Sequence, residues 1–563
     1  MVNWKSRKTG DFLLLANAVV LVLLVNLVAA RYFFRVDLTE EKRYSIKPQT
    51  KAILRALEDD VYIEVYLEGE LNAGFRRFQK TIRETLDEFR VYAPGKLHIT
   101  FTNPQAAGSE KAQSEFMADL AQRGIQPTNV IDTRDGQRVE KIIFPGAVIS
   151  AGGIETGVML LKGSTARTSD ERINQSIETV EYELINALYT LTNTERKRIG
   201  FLRGHGEADS LQVVSLYRDL GQVYEVERGV SLATTPSPET YDALVMVRPV
   251  TAFSEQEKYR LDQYIMQGGN VLFLIDRLSA RMDSAAVAGY LALPYAENLD
   301  DQLFKYGVRI NPDLVQDLQA AQYPIVTGQA GGKPQMQMME WPFFPLINRY
   351  ADHPITRNLD AVVTRFISSI DTVKAPGVKK TPLLFTSAQT RTVMAPVNIS
   401  ANALRQDVRP EDFSKDGVPV GYLLEGSFTS LYKNRFLPDG ETKENFRDHS
   451  AATRLVVLAD ADLAINEVNP RSHQPQPLGF YPFTNYVFAN RDLLMNAIAY
   501  LVDERGLIQA RSKQIKIRPL DREKVKQERV TWQFLNLVVP LVLLTIFGVV
   551  RMYWRKKKFA RFG

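Results

Sequence analysis

The residues best equipped for chemistry in this chain are the run Gly204-His205-Gly206-Glu207 and three aspartates, Asp276, Asp460 and Asp462. A histidine two residues from a glutamate can share a proton or a metal ion, and the flanking glycines permit the tight turn that brings the two together. The alternative is that the glycines only make the turn, while His205 and Glu207 satisfy neighbouring backbone groups. Each aspartate follows an apolar run that reads as a strand. If those strands are parallel, their ends meet at the edge where α/β sheets bind ligands, and the acids form an acidic or metal-binding cluster. The plainer reading is that short polar residues begin a loop or cap a helix.

Much other chemistry is excluded. The chain has no cysteine, so it has no disulfide, thiolate nucleophile or thiolate metal site. His98, His205, His353, His449 and His473 are scattered, and no pair has the i, i+4 spacing of a helical zinc site. No Gly-x-Ser-x-Gly nucleophile elbow occurs. A phosphate-binding loop needs Gly-x-x-x-x-Gly-Lys-Ser/Thr, so that backbone amides and a lysine cradle the nucleotide. Thr327 to Pro334 (TGQAGGKP) has its first glycine off register and a proline in place of the magnesium-binding hydroxyl, and Gly152 to Val158 lacks the lysine. Nucleotide hydrolysis is therefore not expected, and no cofactor is called for.

The elements that must position these residues read as alternating strands and helices. Val61 to Leu67 and Leu97 to Phe101 read as strands. Phe75, Phe78, Ile82, Leu86 and Phe89 recur at helical spacing between them. Glu110 to Arg123 reads as a helix, then Asn129 to Asp132, Val139 to Phe144 and Gly157 to Leu161 as strands, with turns at Asp135-Gly136 and Gly152-Gly153. This β-α-β-α-β-β-β order is close to a thioredoxin-like layout without its redox cysteines. Ile177 to Leu191 is a strongly patterned helix that closes the region. A second pattern begins with Lys197 to Leu202, which runs into the Gly204 turn. Tyr241 to Val247, Val271 to Ile275 and Leu455 to Leu458 are further apolar strands. Ser254 and Glu257 form a capping box, Gly268-Gly269 ends that helix, and Asn490 to Val502 is a late helix. Apolar strands alternating with helices indicate a parallel sheet covered on both faces.

Both ends of the chain are apolar. Phe12 to Ala30 and Phe534 to Val550 carry no charge and reach the ~17–25 residues that a ~30 Å hydrocarbon core requires. Trp4, Trp532 and Trp554 flank them as interfacial residues do. Lys5, Arg7 and Lys8 precede the first span, and Arg551, Arg555, Lys556, Lys557, Lys558 and Arg561 follow the second. The positive-inside rule then puts both termini in the cytoplasm and everything between the spans across the membrane. A cleavable signal peptide is the alternative for the first span, and a buried core helix for the second. The net charge of +5 resides in these basic ends, because residues 31–550 sum to −3; it marks anionic lipid and not nucleic acid as the partner. Asn17 and Asn26 lie on opposite faces of the first span. Polar groups in hydrocarbon seek partners, so both are candidate contacts to a membrane partner.

Taken together, Phe34 to Ser45 (FRVDLTEEKRYS), Val65 to Gly69 (VYLEG), Leu86 to Arg90 (LDEFR), Gly204 to Glu207, Gly268 to Asp276 (GGNVLFLID) and Asn490 to Ala497 (NRDLLMNA) resemble the gliding-motility-associated ABC-transporter auxiliary (GldG) family of Bacteroidetes. The resemblance spans nearly the whole chain. It implies a bacterial inner-membrane protein with large periplasmic domains, partnered by a multi-span ABC permease and a cytoplasmic ATPase. It also relates the C-terminal two-thirds to glutamine-amidotransferase-like α/β folds. Enzymes of that fold use a cysteine nucleophile, so a non-catalytic version is implied here.

The expected organisation is a cytoplasmic N-terminus (1–11), a first span (12–30), a periplasmic thioredoxin-like α/β domain (31–192) and an ABC-transporter auxiliary α/β domain (193–510) with insertions at about 280–450. A charged tether (511–531), a second span (532–550) and a basic cytoplasmic tail (551–563) follow. The expected function is that of a non-enzymatic auxiliary subunit that binds a substrate, partner protein or envelope ligand. The alternatives are a membrane-anchored periplasmic hydrolase or metal-dependent enzyme using His205 and Glu207, or a purely structural envelope tether.

Overall fold

The computed structural model describes residues 7–31, 45–106, 109–134, 137–162, 169–193, 196–282, 290–330, 333–400, 409–503, 506 and 528–559. The Asp135-Gly136 turn and most of the charged tether lie outside these residues.

Residues 1–513 and 514–563 form two units. The first begins with α1 (Arg7–Arg31) and includes α2 (Pro48–Arg55), whose proline occupies the first turn, where its missing N–H is not needed. β1 (Val61–Val65) runs parallel to β2 (Leu97–Phe101) through α3 (Ala73–Tyr92). The predicted stripe Phe75, Phe78, Ile82, Leu86 and Phe89 is buried along α3, each side chain contributing about 1.5–3 kcal/mol. Asn72 starts that helix by accepting a hydrogen bond from the Phe75 amide at 3.0 Å.

After α4 (Glu110–Gln122), β3 (Thr128–Arg134) and β4 (Gln137–Ile143) make a separate hairpin. β5 (Gly146–Ala151) and β6 (Ile154–Met159) complete a four-stranded sheet of order β2-β1-β5-β6, with β5 antiparallel to both neighbours. The sequence reading placed three strands here where the structure has four. β5, the strand that joins β1, is buried along nearly its whole length, so it lacks the alternation that marks a half-exposed strand.

α5 (Ser169–Thr192) packs on α3, β5 and β6. It also reaches the rest of the unit, where Gln175 donates to the Asn358 carbonyl and Tyr182 packs against Ala499 and Tyr500.

The larger sheet starts with β7 (Arg198–Leu202), then α6 (Val214–Gly221), β8 (Glu225–Val230), β9 (Ala243–Val247), α7 (Glu255–Met266) and β10 (Asn270–Leu274). The capping box at Ser254 and Glu257 is present. Gly268 turns the chain with φ +102°, and a Cβ on Gly269 would stand 2.3 Å from the Tyr264 ring, so both glycines are required there.

α8 (Asp300–Tyr306) follows. β11 (Val378–Phe385), β12 (Pro419–Thr429) and β13 (His449–Leu458) then enter the same sheet. Its eight strands lie in the order Arg349–Tyr350, β11, β12, β13, β10, β9, β7, β8. β13, β10, β9, β7 and β8 are mutually parallel, and the other three are antiparallel. Of the range 280–450, which reads from the sequence as insertions and β-structure, β11 and β12 belong to the main sheet. The remainder of that range is β-rich, built on a long hairpin (Ala320–Ala330 with Lys333–Ile347) around a core of Trp341, Phe343, Phe344, Phe366 and Tyr481.

α9 (Asn490–Val502) packs across β9, β10 and β13. Arg454 on β13 donates to the Tyr500 and Asp503 carbonyls at the end of that helix.

The second unit holds α10 (Arg529–Phe559), long and apolar enough to cross a membrane by length and composition. At the other end, Leu13–Leu27 is a shorter apolar stretch. Asn26 donates to the Val22 carbonyl of its own helix at 3.3 Å, and Asn17 is exposed on α1.

Candidate functional site

Because β7, β9, β10 and β13 are parallel, the residues that follow them gather at one sheet edge. The Gly204–Glu207 turn follows β7, Arg248 follows β9, Asp276 follows β10, and Asp460 and Asp462 follow β13.

The turn closes on itself. Glu207 accepts from the Gly204 amide at 3.0 Å and the His205 amide at 2.8 Å, and its other oxygen lies 3.3 Å from His205 Nδ1. Gly206 has φ +69°, and a Cβ there would stand 2.6 Å from Val250 Cγ2. The His205 carbonyl accepts from the Val250 and Thr251 amides at 2.9 and 3.0 Å, tying the turn to the loop after β9.

The His205 ring stacks on Phe253, centroids 3.5 Å apart and planes 12° off parallel. Its Nε2 stands 3.2 Å from Glu257 Oε1, too poorly aligned for a hydrogen bond, so the contact is an ion pair. Glu257 also accepts from the Ser254 amide at 2.9 Å, so one residue caps α7 and faces the imidazole.

Only 4% of the His205 side chain and 3% of the Glu207 side chain are exposed. Burial favours neutral imidazole, but the two carboxylates outweigh it and raise the pKa of His205 above its ordinary value. Burial pushes Glu207 upward too, while the His205 contact and the backbone amides pull its pKa net below the usual carboxylate range. The arrangement is a carboxylate–imidazole–carboxylate latch, closed around His205 and Glu207 and partly open at Glu257. It joins the end of β7 to the start of α7 and leaves the imidazole little room to serve as a base.

The three aspartates do come together. Asp276 accepts from the Ala461 amide at 2.6 Å, and Asp460 accepts from the Asp462 and Arg365 amides, both at 2.8 Å. Burial, then the charge of Asp462, lifts Asp276 to about 7. Asp460, fully buried, is lifted well above the ordinary value by burial and by its two acidic neighbours. Burial raises Asp462 as well, opposed by Arg365 and Arg248; because its side chain keeps 21% of its surface exposed, the effect is weaker there. Arg248 donates to Gln212 at 2.8 Å and stands 3.9 Å from Asp462, and Arg365 pairs with Glu467. Among the described residues no group of three or more His, Cys, Asp or Glu side chains is arranged to hold a metal ion. What the edge offers is proton-holding acids beside two arginines, a set suited to hydrogen-bonding a polar ligand.

Sequence reasoning missed Arg248, Arg365, Phe253 and the second role of Glu257. Arg248 was within reach: it ends an apolar strand as Asp276 does, and its φ of +53° is unusual for a residue with a side chain. Arg365 lies in the region without readable elements, and nothing near it signals the edge.

Residues 196–497 match the family model described as an ABC-type uncharacterized transport system, and residues 40–150 match one described as a domain of unknown function. A protein of Borreliella burgdorferi, described as uncharacterized, is 21% identical over 569 residues, covering 98% of this chain and 99% of its own. Among solved structures, the mmIFT52 N-terminal domain is 14% identical, with 55% of this chain and 98% of that one covered at a TM-score of 0.31. An exo-beta-1,4-mannosidase from Opitutaceae bacterium strain TAV5 is 10% identical, with 75% and 51% covered at a TM-score of 0.18. At those scores neither structure carries an argument.

Proposed function

We propose, because this chain belongs to the ABC-type uncharacterized transport system family, that it is a membrane-anchored, non-enzymatic auxiliary subunit of an ABC transporter. The family match to residues 196–497 carries the reading. The long α10, apolar to Val550 and basic in its last turns, supports an anchor with its C-terminus in the cytoplasm. In this reading α1 is a second span, the two sheets are periplasmic, and a multi-span permease and a cytoplasmic ATPase are the partners. The four-stranded sheet serves as a thioredoxin-like scaffold, and the eight-stranded sheet as the auxiliary domain that engages a substrate, partner protein or envelope component. Association with gliding motility is the finest part of the proposal and rests on the sequence pieces that resemble that family. The enclosure of His205 argues against the anchored-hydrolase alternative, since a catalytic base must reach its substrate.

The test is purification of the full-length chain from native membranes in mild detergent, with bound partners identified by mass spectrometry. Stoichiometric permease and ATPase are expected. A chain that purifies alone, or with periplasmic material only, would overturn the auxiliary-subunit reading.

A further inference from the structure

A cavity of about 630 Å³ lies between α8, the strand Val308–Ile310 and the turn after β12, with Arg277, the residue after Asp276, on its rim. That volume is typical of small-molecule sites. Its wall is apolar where Phe304, Ile310 and Leu431 line it. Phe304 is 52% exposed although it sits on a helix whose neighbours Leu303 and Tyr306 are buried, so the cavity presents an aromatic face to solvent.

The rim is charged, and its charges do not cancel. Asp300 faces Arg277 at 2.7 Å, and Asp301 faces Arg435 at 2.7 Å and Lys258 at 2.8 Å. Arg309 is held by Asp371 at 3.0 Å. Both lining carboxylates are thus already met by cations. Lys305, on α8 one residue after Phe304 and half-buried, has no ion-pair or hydrogen-bond partner among the described residues. An apolar wall beside one unneutralised ammonium is complementary to a molecule with an apolar body and a single acidic group.

We propose that this cavity binds a small organic anion, its apolar body against Phe304 and Leu431 and its acidic group on Lys305. The inference does not rest on the transport reading and stands whether or not a permease is bound.

The test is isothermal titration calorimetry on the full-length chain in lipid nanodiscs, with empty nanodiscs as the blank. The probes are 2-naphthoate, naphthalene-2-sulfonate and 2-naphthyl phosphate, and the uncharged control is naphthalene-2-carboxamide. At least one anion is expected to bind at one site per chain, about tenfold or more tighter than the carboxamide, as a charge-assisted hydrogen bond warrants. Lys305→Glu should abolish that preference, Lys305→Arg should keep it, and Phe304→Ala should weaken all binding. Lys305→Met, which keeps the apolar stem, separates loss of charge from misfolding. The proposal is overturned if none of the three anions binds above the blank, or if binding is equal for the carboxamide and indifferent to Lys305→Glu and Lys305→Met.

Discussion

Replacing His205 by alanine removes the buried centre of the carboxylate–imidazole–carboxylate latch. Taking one partner from a buried pair costs roughly 3–5 kcal/mol when the other is left uncompensated. Glu207 keeps its two backbone amides and the Glu257 side chain is 31% exposed, which places the loss below that range, at about 2 kcal/mol. Losing the stack on Phe253 adds about 0.5–1.5 kcal/mol. We expect a local destabilisation of about 3 kcal/mol at the joint between β7, the loop after β9 and α7, with the sheet core intact. At tenfold per ~1.4 kcal/mol, the amides of Gly204, Val250 and Thr251 should exchange about a hundredfold faster once corrected for intrinsic rates. Hydrogen exchange read by mass spectrometry on the full chain measures this.

The pH dependence of the same joint has a definite sign. His205 is raised, so its contribution is complete below the unfolded value of about 6.5 and is lost as pH rises through the folded value. Glu207 and Glu257 are net lowered: burial raises them, but the contact of each with His205 and the hydrogen bonds from Ser254 and the backbone prevail. Their contribution is complete above about 4.3 and is lost as pH falls. The difference between the parent chain and His205→Ala is therefore greatest between about pH 4.5 and 6.5. An acceleration below about fivefold at pH 6, or a difference that grows from pH 6 to pH 9, would refute the latch.

Three further outcomes follow from the same geometry. Gly206→Ala forces a left-handed residue against Val250 and should cost about 1–3 kcal/mol, read as a lower thermal midpoint with the same exchange hot spot. Asp276→Asn keeps the acceptor for the Ala461 amide. Since the native state holds a proton up to about pH 7 that the unfolded chain releases above about 3.9, the substitution should stabilise by on the order of 1 kcal/mol at pH 5 and by roughly 2–3 kcal/mol more at pH 8, checked by thermal melts at both pH values. Asp262 is fully buried and accepts from Tyr306 and Ser430 hydroxyls at 2.8 and 2.7 Å and from the Leu431 amide at 3.0 Å. Asp262→Ala should cost roughly 3 kcal/mol or more in denaturant unfolding, and Asp262→Asn clearly less.

The parts of this fold that could be read from the chain are those whose signals are local. The stripe on α3, the capping box of α7 and the bounds of α9 at Asn490 and Val502 each depend on residues within a few turns of one another. The β-rich middle does not work that way. Pro382 lies inside β11, and Pro342 and Pro345 lie inside the long hairpin, so the usual breakers stand within strands that hold through partners remote in sequence. The aspartate edge was legible because each acid ends an apolar strand. The enclosure of His205 was not, because Phe253 and Glu257 belong to the next strand–helix unit, and only the parallel register of β7 and β9 brings them over the ring.

The bond network of Arg454 has a mechanical consequence. Any pull on the chain beyond Asp503 reaches the eight-stranded unit through the last turn of α9, whose carbonyls are held by a guanidinium rooted in β13. β13 lies inside the sheet, bonded to β12 on one side and β10 on the other. Tension is thus delivered to an interior strand with two ladders to share it, a loading that resists shear, whereas the same pull on an edge strand would peel the sheet one bond at a time.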